Sequence, residues 1–308
     1  MKAFRVHSYG DPSGSSLVET DLPDIMPEEI LIRVAAAAVN PMDWHVQSGA
    51  LKSYLPYRLP VTLGWDVAGI AHKIGGAVSG ITVGDRLFAM ADFARDGCFA
   101  EYVAVRTEHL ARAPTAISLT EAAAVPLAGL TSWWSLFDTA NLQKGQSVLV
   151  HGAAGGVGSF AVQLAKNAGA LVTATCSTSA VPLVKSLGVD DVIDYSHDDF
   201  SRRSGFDVVL DTIGGDVRAR SWKVLKPGGI LVTITLPEPS PPRTDVRGVL
   251  VRNRPDGARL AKIAKLIDAG AVRPLIAGAF DLGNVDQAIA KNREGHVHGK
   301  LIVRIGGE

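Results

Sequence analysis

An apolar run, Val148-Leu-Val-His151, passes straight into Gly152-Ala-Ala-Gly-Gly-Val-Gly158 and then into a helix-like segment, Ser159–Gly169. A strand, a glycine-rich turn and a helix in that order leave a chain few folds to choose from. Gly155 lets a backbone approach a pyrophosphate, and Gly158 lets the helix lie close against the strand. The amide N–H groups around Ala154, Gly156 and Val157, at the helix start, favour an anion. Val157, Phe160, Ala161, Leu164, Ala165 and Ala168 recur at helical spacing, so one face of the helix packs on a sheet. With both flanks present, the pattern reads as a dinucleotide cradle.

At 308 residues the chain exceeds one core at roughly 150 residues per domain, which points to two domains. Residues 1–116 read as β-rich, with short apolar or alternating runs at 2–6, 30–39, 67–74, 86–89 and 99–105 separated by Gly, Pro and Asp. Residues 117–270 alternate strand-like and helix-like segments, the pattern of a doubly wound α/β domain closed by a helix at 256–269. Residues 271–308 return to strand, helix and strand, and are expected to rejoin the first domain.

Thirty-one basic and 31 acidic residues cancel, so no global field recruits nucleic acid or an acidic membrane, and the expected partner is a small molecule. The first ten residues meet charge and glycine too soon for a secretory segment, and no run approaches the ~18 apolar residues of a membrane span. Cys98 and Cys176 are too few for a disulfide framework. These observations together lead to an expected cytoplasmic location.

Several motifs then carry a family resemblance. They are Val39-Asn-Pro-Met-Asp-Trp44, Leu63-Gly-Trp-Asp-Val-Ala-Gly69, Val83-Gly-Asp-Arg86, Phe99-Ala-Glu-Tyr-Val103, Pro126-Leu-Ala-Gly-Leu-Thr131, the glycine turn, Asp207-Val-Val-Leu-Asp-Thr-Ile-Gly-Gly215, Leu225-Lys-Pro-Gly-Gly229 and Gly299-Lys300. Nearly end to end, the chain resembles a zinc-free member of the medium-chain dehydrogenase/reductase superfamily, in its zeta-crystallin-like quinone oxidoreductase branch. The resemblance implies an α/β protein with a GroES-like β-rich catalytic domain and a doubly wound Rossmann domain, with a nicotinamide in the cleft between them and a homodimer paired through sheet edges.

NAD-preferring sites end their second strand with a carboxylate that holds the ribose hydroxyls. Here that position reads Cys176-Ser-Thr178, which offers hydroxyls and no carboxylate, and so favours NADPH. The resemblance adds Tyr195 as a phosphate neighbour and Thr131, Ile213 and Gly214 as cofactor contacts. It also shows Ala180 where many relatives carry lysine, a loss for which Lys300 is a candidate replacement.

The zinc-ligand positions of metal-dependent relatives become Asn40, Trp65 and Val125, and only Asp66 keeps ligand-like chemistry, so no zinc is expected. Without a Lewis acid a simple ketone is a poor acceptor, whereas a quinone or activated alkene spreads its charge onto an oxygen that one or two donors can hold. The donors expected are Asn40 and His45, the latter at a position where relatives carry tyrosine, with Asp43 orienting its neighbours or capping the helix begun at Pro41. The function expected is an NADPH-dependent, metal-independent reductase of quinones or α,β-unsaturated carbonyl compounds. A zinc-free enoyl-thioester reductase and a non-enzymatic NADPH-binding protein are the alternatives.

Overall fold

The structure, a computed structural model, describes residues 1–307, and the chain packs as two units. Met1–Leu127, Arg254–Gly270 and the chain from Pro274 on form the first; Ala128–Asn253 with Ala271–Arg273 form the second. In chain order the first unit opens with β1 (Lys2–Val6), β2 (Ser15–Glu19), β3 (Glu29–Val39), α1 (Pro41–Gln47), β4 (Val61–Thr62), β5 (Asp66–Ile74), β6 (Arg86–Met90), β7 (Tyr102–Arg106), β8 (Leu110–Arg112) and α2 (Leu119–Ala122). Helix α3 (Pro126–Trp133) carries the chain onward and widens into a π turn over Trp134–Thr139. The second unit continues with β9 (Ser147–Val150), α4 (Gly156–Asn167), β10 (Leu171–Cys176), α5 (Val181–Lys185), β11 (Asp191–Asp194), β12 (Phe206–Asp211), α6 (Gly215–Ser221), β13 (Leu225–Thr233) and β14 (Arg247–Leu250). The chain then supplies α7 (Gly257–Asp268), β15 (Ile276–Asp281), α8 (Val285–Glu294) and β16 (Lys300–Arg304) to the first unit.

Strand β3 organises the first unit. It is buried along nearly its whole length because both of its edges are paired: β5 runs along one, while β7 takes residues 29–33 and β16 residues 36–39 of the other. These pairings are antiparallel, and their register brings three strand ends together. Leu301 stands opposite Val39 and Asp66 opposite Ala38, so Lys300 at the start of β16 and Asp66 at the start of β5 meet Asn40, just past the end of β3. Beneath this corner lies a core that includes Leu63, Trp65, Phe99 and Val303, all fully buried.

The sequence pattern assigns the helix at 256–269 to the doubly wound segment, but α7 packs in the first unit. A Cβ on Gly257 would stand 2.2 Å from the backbone oxygen of Leu110, so glycine is what lets the helix lie directly on β8. Periodicity reports that a helix is amphipathic and is silent on which sheet its apolar face meets.

In the second unit six parallel strands run in the order β11-β10-β9-β12-β13-β14. The central segments 148–150, 208–210 and 230–232 of strands β9, β12 and β13 are continuous buried apolar runs because helices cover both faces of a parallel sheet. The order runs outward one way from β9 and the other way from β12, and a crevice opens beyond the carboxyl ends of strands at such a reversal. No helix among the described residues is long and apolar enough to cross a membrane.

Candidate functional site

The turn between β9 and α4 is built from glycines with different tasks. Gly152 holds a left-handed φ of +65°, and a Cβ on Gly158 would lie 2.2 Å from Gly152 O and 2.8 Å from Ala153 Cα, so helix and turn touch backbone to backbone. Gly155 is different: its backbone is extended, and a Cβ there meets nothing closer than Gly152 O at 3.3 Å. The first bond into the helix runs from Ser159 N to Gly155 O at 3.0 Å. The N–H groups of Gly156, Val157 and Gly158 therefore have no acceptor within α4, and no acidic residue stands in its first turn to occupy them. Buried Ala154 precedes them, and the backbone side of Gly155 is left bare, an arrangement that fits the diphosphate of a dinucleotide. Nearby, Ser132 Oγ donates to Val157 O at 2.8 Å and buried Thr131 accepts from Asn253 Nδ2 at 2.7 Å.

His151, at the entrance to this turn, carries a role that strand periodicity alone does not reveal. Its ring is 1% exposed and bridges two neighbouring elements, with Nδ1 3.0 Å from Thr175 Oγ1 and Nε2 3.0 Å from Ser221 Oγ. Because the Ser221 hydroxyl donates to Val217 O, it accepts from Nε2–H, and Nδ1 accepts from Thr175. The imidazole is thus held neutral. Burial pushes its pKa down to about 4, Arg220 adds to the shift and Asp211 opposes it. Between that value and the usual ~6.5 the unfolded chain binds the extra proton, so this contribution is complete above pH 6.5 and is lost as the pH falls toward 4. Taking the protein from pH 7 to pH 5 should lower its stability by about 2 kcal/mol through this group. Urea unfolding of wild type and His151→Gln at both pH values checks it; equal pH dependence in the two proteins would refute the assignment.

At the carboxyl end of β10, Ser177 Oγ lies 3.2 Å from Ser179 Oγ, which adds Ser179 to the hydroxyls expected from sequence. Thr178 is not equally available. The parallel register sets Cys176 beside Asp194 at the end of β11, and the Thr178 side chain bonds the Asp194 carboxyl and is the main cause holding its pKa below the usual carboxylate range. A carboxylate therefore stands at this corner after all, supplied by the neighbouring strand. Tyr195, directly after it, is exposed.

Past β12 the chain turns over Asp211, which is fully buried. One carboxylate oxygen accepts from Ile213 N at 2.9 Å and Gly214 N at 2.7 Å, and the other from Thr233 Oγ1 at 2.8 Å. Those bonds hold Gly214 at φ +82° and leave the Ile213 side chain exposed.

In the first unit Asn40 begins α1 and is 2% exposed. Its Nδ2 donates to Asp66 Oδ2 at 2.8 Å and to Ala38 O at 3.2 Å, while its Oδ1 accepts from the Lys300 ammonium. An ammonium on one side and a carboxylate on the other leave no choice in the orientation of the carboxamide. The sequence reading makes Asn40 a donor to substrate; here both of its amide hydrogens are committed inside the unit. The same reading counts Lys300 as a cofactor contact, and that too is corrected. Lys300 is buried, and its three hydrogens go to Asn40 Oδ1, Asp66 Oδ2 at 3.0 Å and Val39 O at 3.1 Å, so none remains for a phosphate. Asp43 accepts from Asn40 N at 2.7 Å and Gly64 N at 3.0 Å, closing the first turn of α1 and tying it to the strand corner. Burial raises its pKa to about 7, against the pull of those two amides and of Lys300.

His45 lies two residues further along α1, partly exposed, its ring centroid 3.6 Å from that of Trp44. No hydrogen bond to its ring nitrogens is made among the described residues, and partial burial moves its pKa below the ordinary value. A neutral imidazole with a free N–H is a donor that a substrate oxygen can use.

The chemistry of the donors at the expected metal positions does not suit zinc. Asn40 is engaged as above, Trp65 is fully buried among Tyr57 and Phe93, and Val125 is aliphatic. Among the described residues no three His, Cys, Asp or Glu side chains gather as a ligand set.

A model described as alcohol dehydrogenase GroES-like domain matches residues 26–115, and one described as zinc-binding dehydrogenase matches residues 187–303. The chain is 36% identical to a 2-methylene-furan-3-one reductase of Solanum lycopersicum, over 98% of this chain and 79% of the relative. It is 32% identical to the mitochondrial NAD(P)H oxidoreductase RTN4IP1 of Danio rerio, over 99% and 91%. The solved quinone oxidoreductase of Coxiella burnetii superposes with a TM-score of 0.90 at 30% identity, over 99% of both chains. With an alcohol dehydrogenase-like β-rich unit, a parallel sheet with a glycine cradle and relatives of this closeness along its whole length, the chain belongs to the medium-chain dehydrogenase/reductase superfamily, in its quinone oxidoreductase branch of NAD(P)-dependent oxidoreductases.

Proposed function

We propose that this protein reduces quinones or α,β-unsaturated carbonyl compounds with NADPH and without a metal. The observation that carries the reading is that one chain combines the bare diphosphate turn at Gly155–Gly158 with an α1 whose head is built from Asn40, Asp66 and Lys300, a set suited to hydrogen bonding rather than to zinc. A bound nicotinamide supplies the hydride. The chain's own task is to hold the charge that appears on the acceptor oxygen, and for a conjugated acceptor a single well-placed donor is effective. His45 is that donor in this reading; Asn40 and Asp43 position the helix that carries it. The tomato relative is named for reducing a 2-methylene-furan-3-one, itself a conjugated enone, which supports the acceptor class.

The preference for NADPH rests on the Ser177 and Ser179 hydroxyls and Tyr195, with Asp194 as the opposing charge. Residence in the cytoplasm and pairing into a homodimer through β14, which ends the strand order of the six-stranded sheet, belong to the same reading.

Steady-state oxidation of NADPH and NADH against a panel of quinones, enones and enoyl thioesters tests it. NADPH with quinones or enones should be the fastest combination, and His45→Ala should lower kcat by roughly 10²- to 10³-fold while leaving NADPH affinity intact, the loss typical of one preorganised donor. Turnover confined to thioesters would place the enzyme among enoyl reductases. Tight binding with no turnover on any acceptor would make it a nucleotide-binding protein instead. Equal use of NADH would show that Asp194 outweighs the hydroxyls.

A further inference from the structure

The Lys300 ammonium is enclosed by a backbone carbonyl and a carboxamide oxygen from the end of β3 and a carboxylate oxygen from the start of β5. Oxygens of those three kinds converging on one point of positive charge are what a hard cation gathers. Two of the three oxygens come from positions where zinc-dependent relatives place or flank a ligand, Asn40 and Asp66. We propose that Lys300 is a built-in cation that does at the head of α1 what a metal does in those relatives: it fixes the Asn40 carboxamide and the Asp66 carboxylate, and through Asn40 the start of the helix that carries His45.

Lys300 is a positioning residue, since its hydrogens are all spent on the protein. Its effect on turnover rests on the reading of His45 as substrate donor; its nature as a cation site does not. Without the ammonium, Asn40 Oδ1 loses its donor in a dry interior and the Asp66 carboxylate is left buried near Asp43 without a counter-charge. If Asp66 is made asparagine at the same time, charge balance returns, but the carboxamide at Asn40 now faces a second carboxamide and keeps only its 3.2 Å bond to Ala38 O to fix its orientation.

Two variants of the full chain test this. Lys300→Ala opens an oxygen-lined space, and methylammonium chloride should raise its thermal midpoint while sodium chloride at equal concentration does not and wild type responds to neither. Lys300→Met combined with Asp66→Asn keeps charge and bulk balanced; it should fold and bind NADPH as wild type does, yet lose kcat on the order of 10²-fold with little change in acceptor KM, as expected for a misplaced donor. Wild-type turnover in the double variant, or a Lys300→Ala protein indifferent to methylammonium, would overturn the proposal. A wild-type protein inactive on every acceptor would sink the role of His45 while the methylammonium response still decides the cation site.

Discussion

Gly155→Val should lose dinucleotide affinity by at least roughly 10²-fold, about 2.8 kcal/mol, while the protein stays folded. The backbone at Gly155 is extended, with φ −76° and ψ 175°, a conformation valine adopts without strain, and the nearest atom to an added Cβ is 3.3 Å away. The stability cost should be about 1 kcal/mol, the usual penalty for a β-branched residue at a helix N-cap. What valine removes is the close approach of a pyrophosphate to the turn. Gly158→Val is the contrasting case. Its Cβ would lie 2.2 Å from one backbone atom and 2.8 Å from another, and no side-chain adjustment relieves either contact. Helix α4 must shift off β9, so this variant should lose stability and binding together, by about 1–3 kcal/mol or more in folding. Fluorescence titration with NADPH beside urea unfolding separates the two. Unimpaired binding by folded Gly155→Val would put the diphosphate elsewhere, and wild-type stability in Gly158→Val would contradict the backbone contact.

Asp211→Ala should be among the most damaging single changes in the second unit, lowering stability by about 3–5 kcal/mol. Two backbone amides, Ile213 N and Gly214 N, lose a charged acceptor worth about 1.5–3 kcal/mol each, whereas Thr233 Oγ1 retains Thr235 Oγ1 at 3.1 Å. The loop over Ile213 and Gly214 then has nothing to hold its left-handed turn. Asp211→Asn keeps one oxygen for both amides, and Thr233 can rotate to accept, so it should cost about 1–2 kcal/mol. Chemical denaturation orders the pair. Similar losses in both variants would mean that the space filled by the side chain matters more than its acceptors.

How much of this was legible beforehand follows from how far apart the interacting residues lie. The strand, turn and helix at 148–169 and the parallel strands around β9, β10, β12 and β13 are written in local periodicity and glycine placement; β9, β10 and β12 appear within a residue of the expected bounds, whereas α4 begins three residues and β13 five residues earlier than local periodicity suggests. The capping of α1 by Asp43 is equally local, three residues from Asn40. The Asp194 carboxylate beside Thr178 was not legible, because a search of the β10 end does not see a side chain that arrives on the adjacent strand. His151 stands in plain view before the glycine turn, yet its partners Thr175 and Ser221 lie 24 and 70 residues away.

Local sequence by itself therefore determined the strand, glycine turn and helix at 148–169 and the alternating α/β pattern, since each is a matter of residue type at short spacing. Tertiary structure alone decided that α7 packs on β8, and that Lys300 meets Asn40 and Asp66 from 260 and 234 residues away. The reason is register: a one-residue slip of β16 against β3 would turn Lys300 to the other face of the sheet, and that alignment is set by the packing of whole strands rather than by any residue near the lysine.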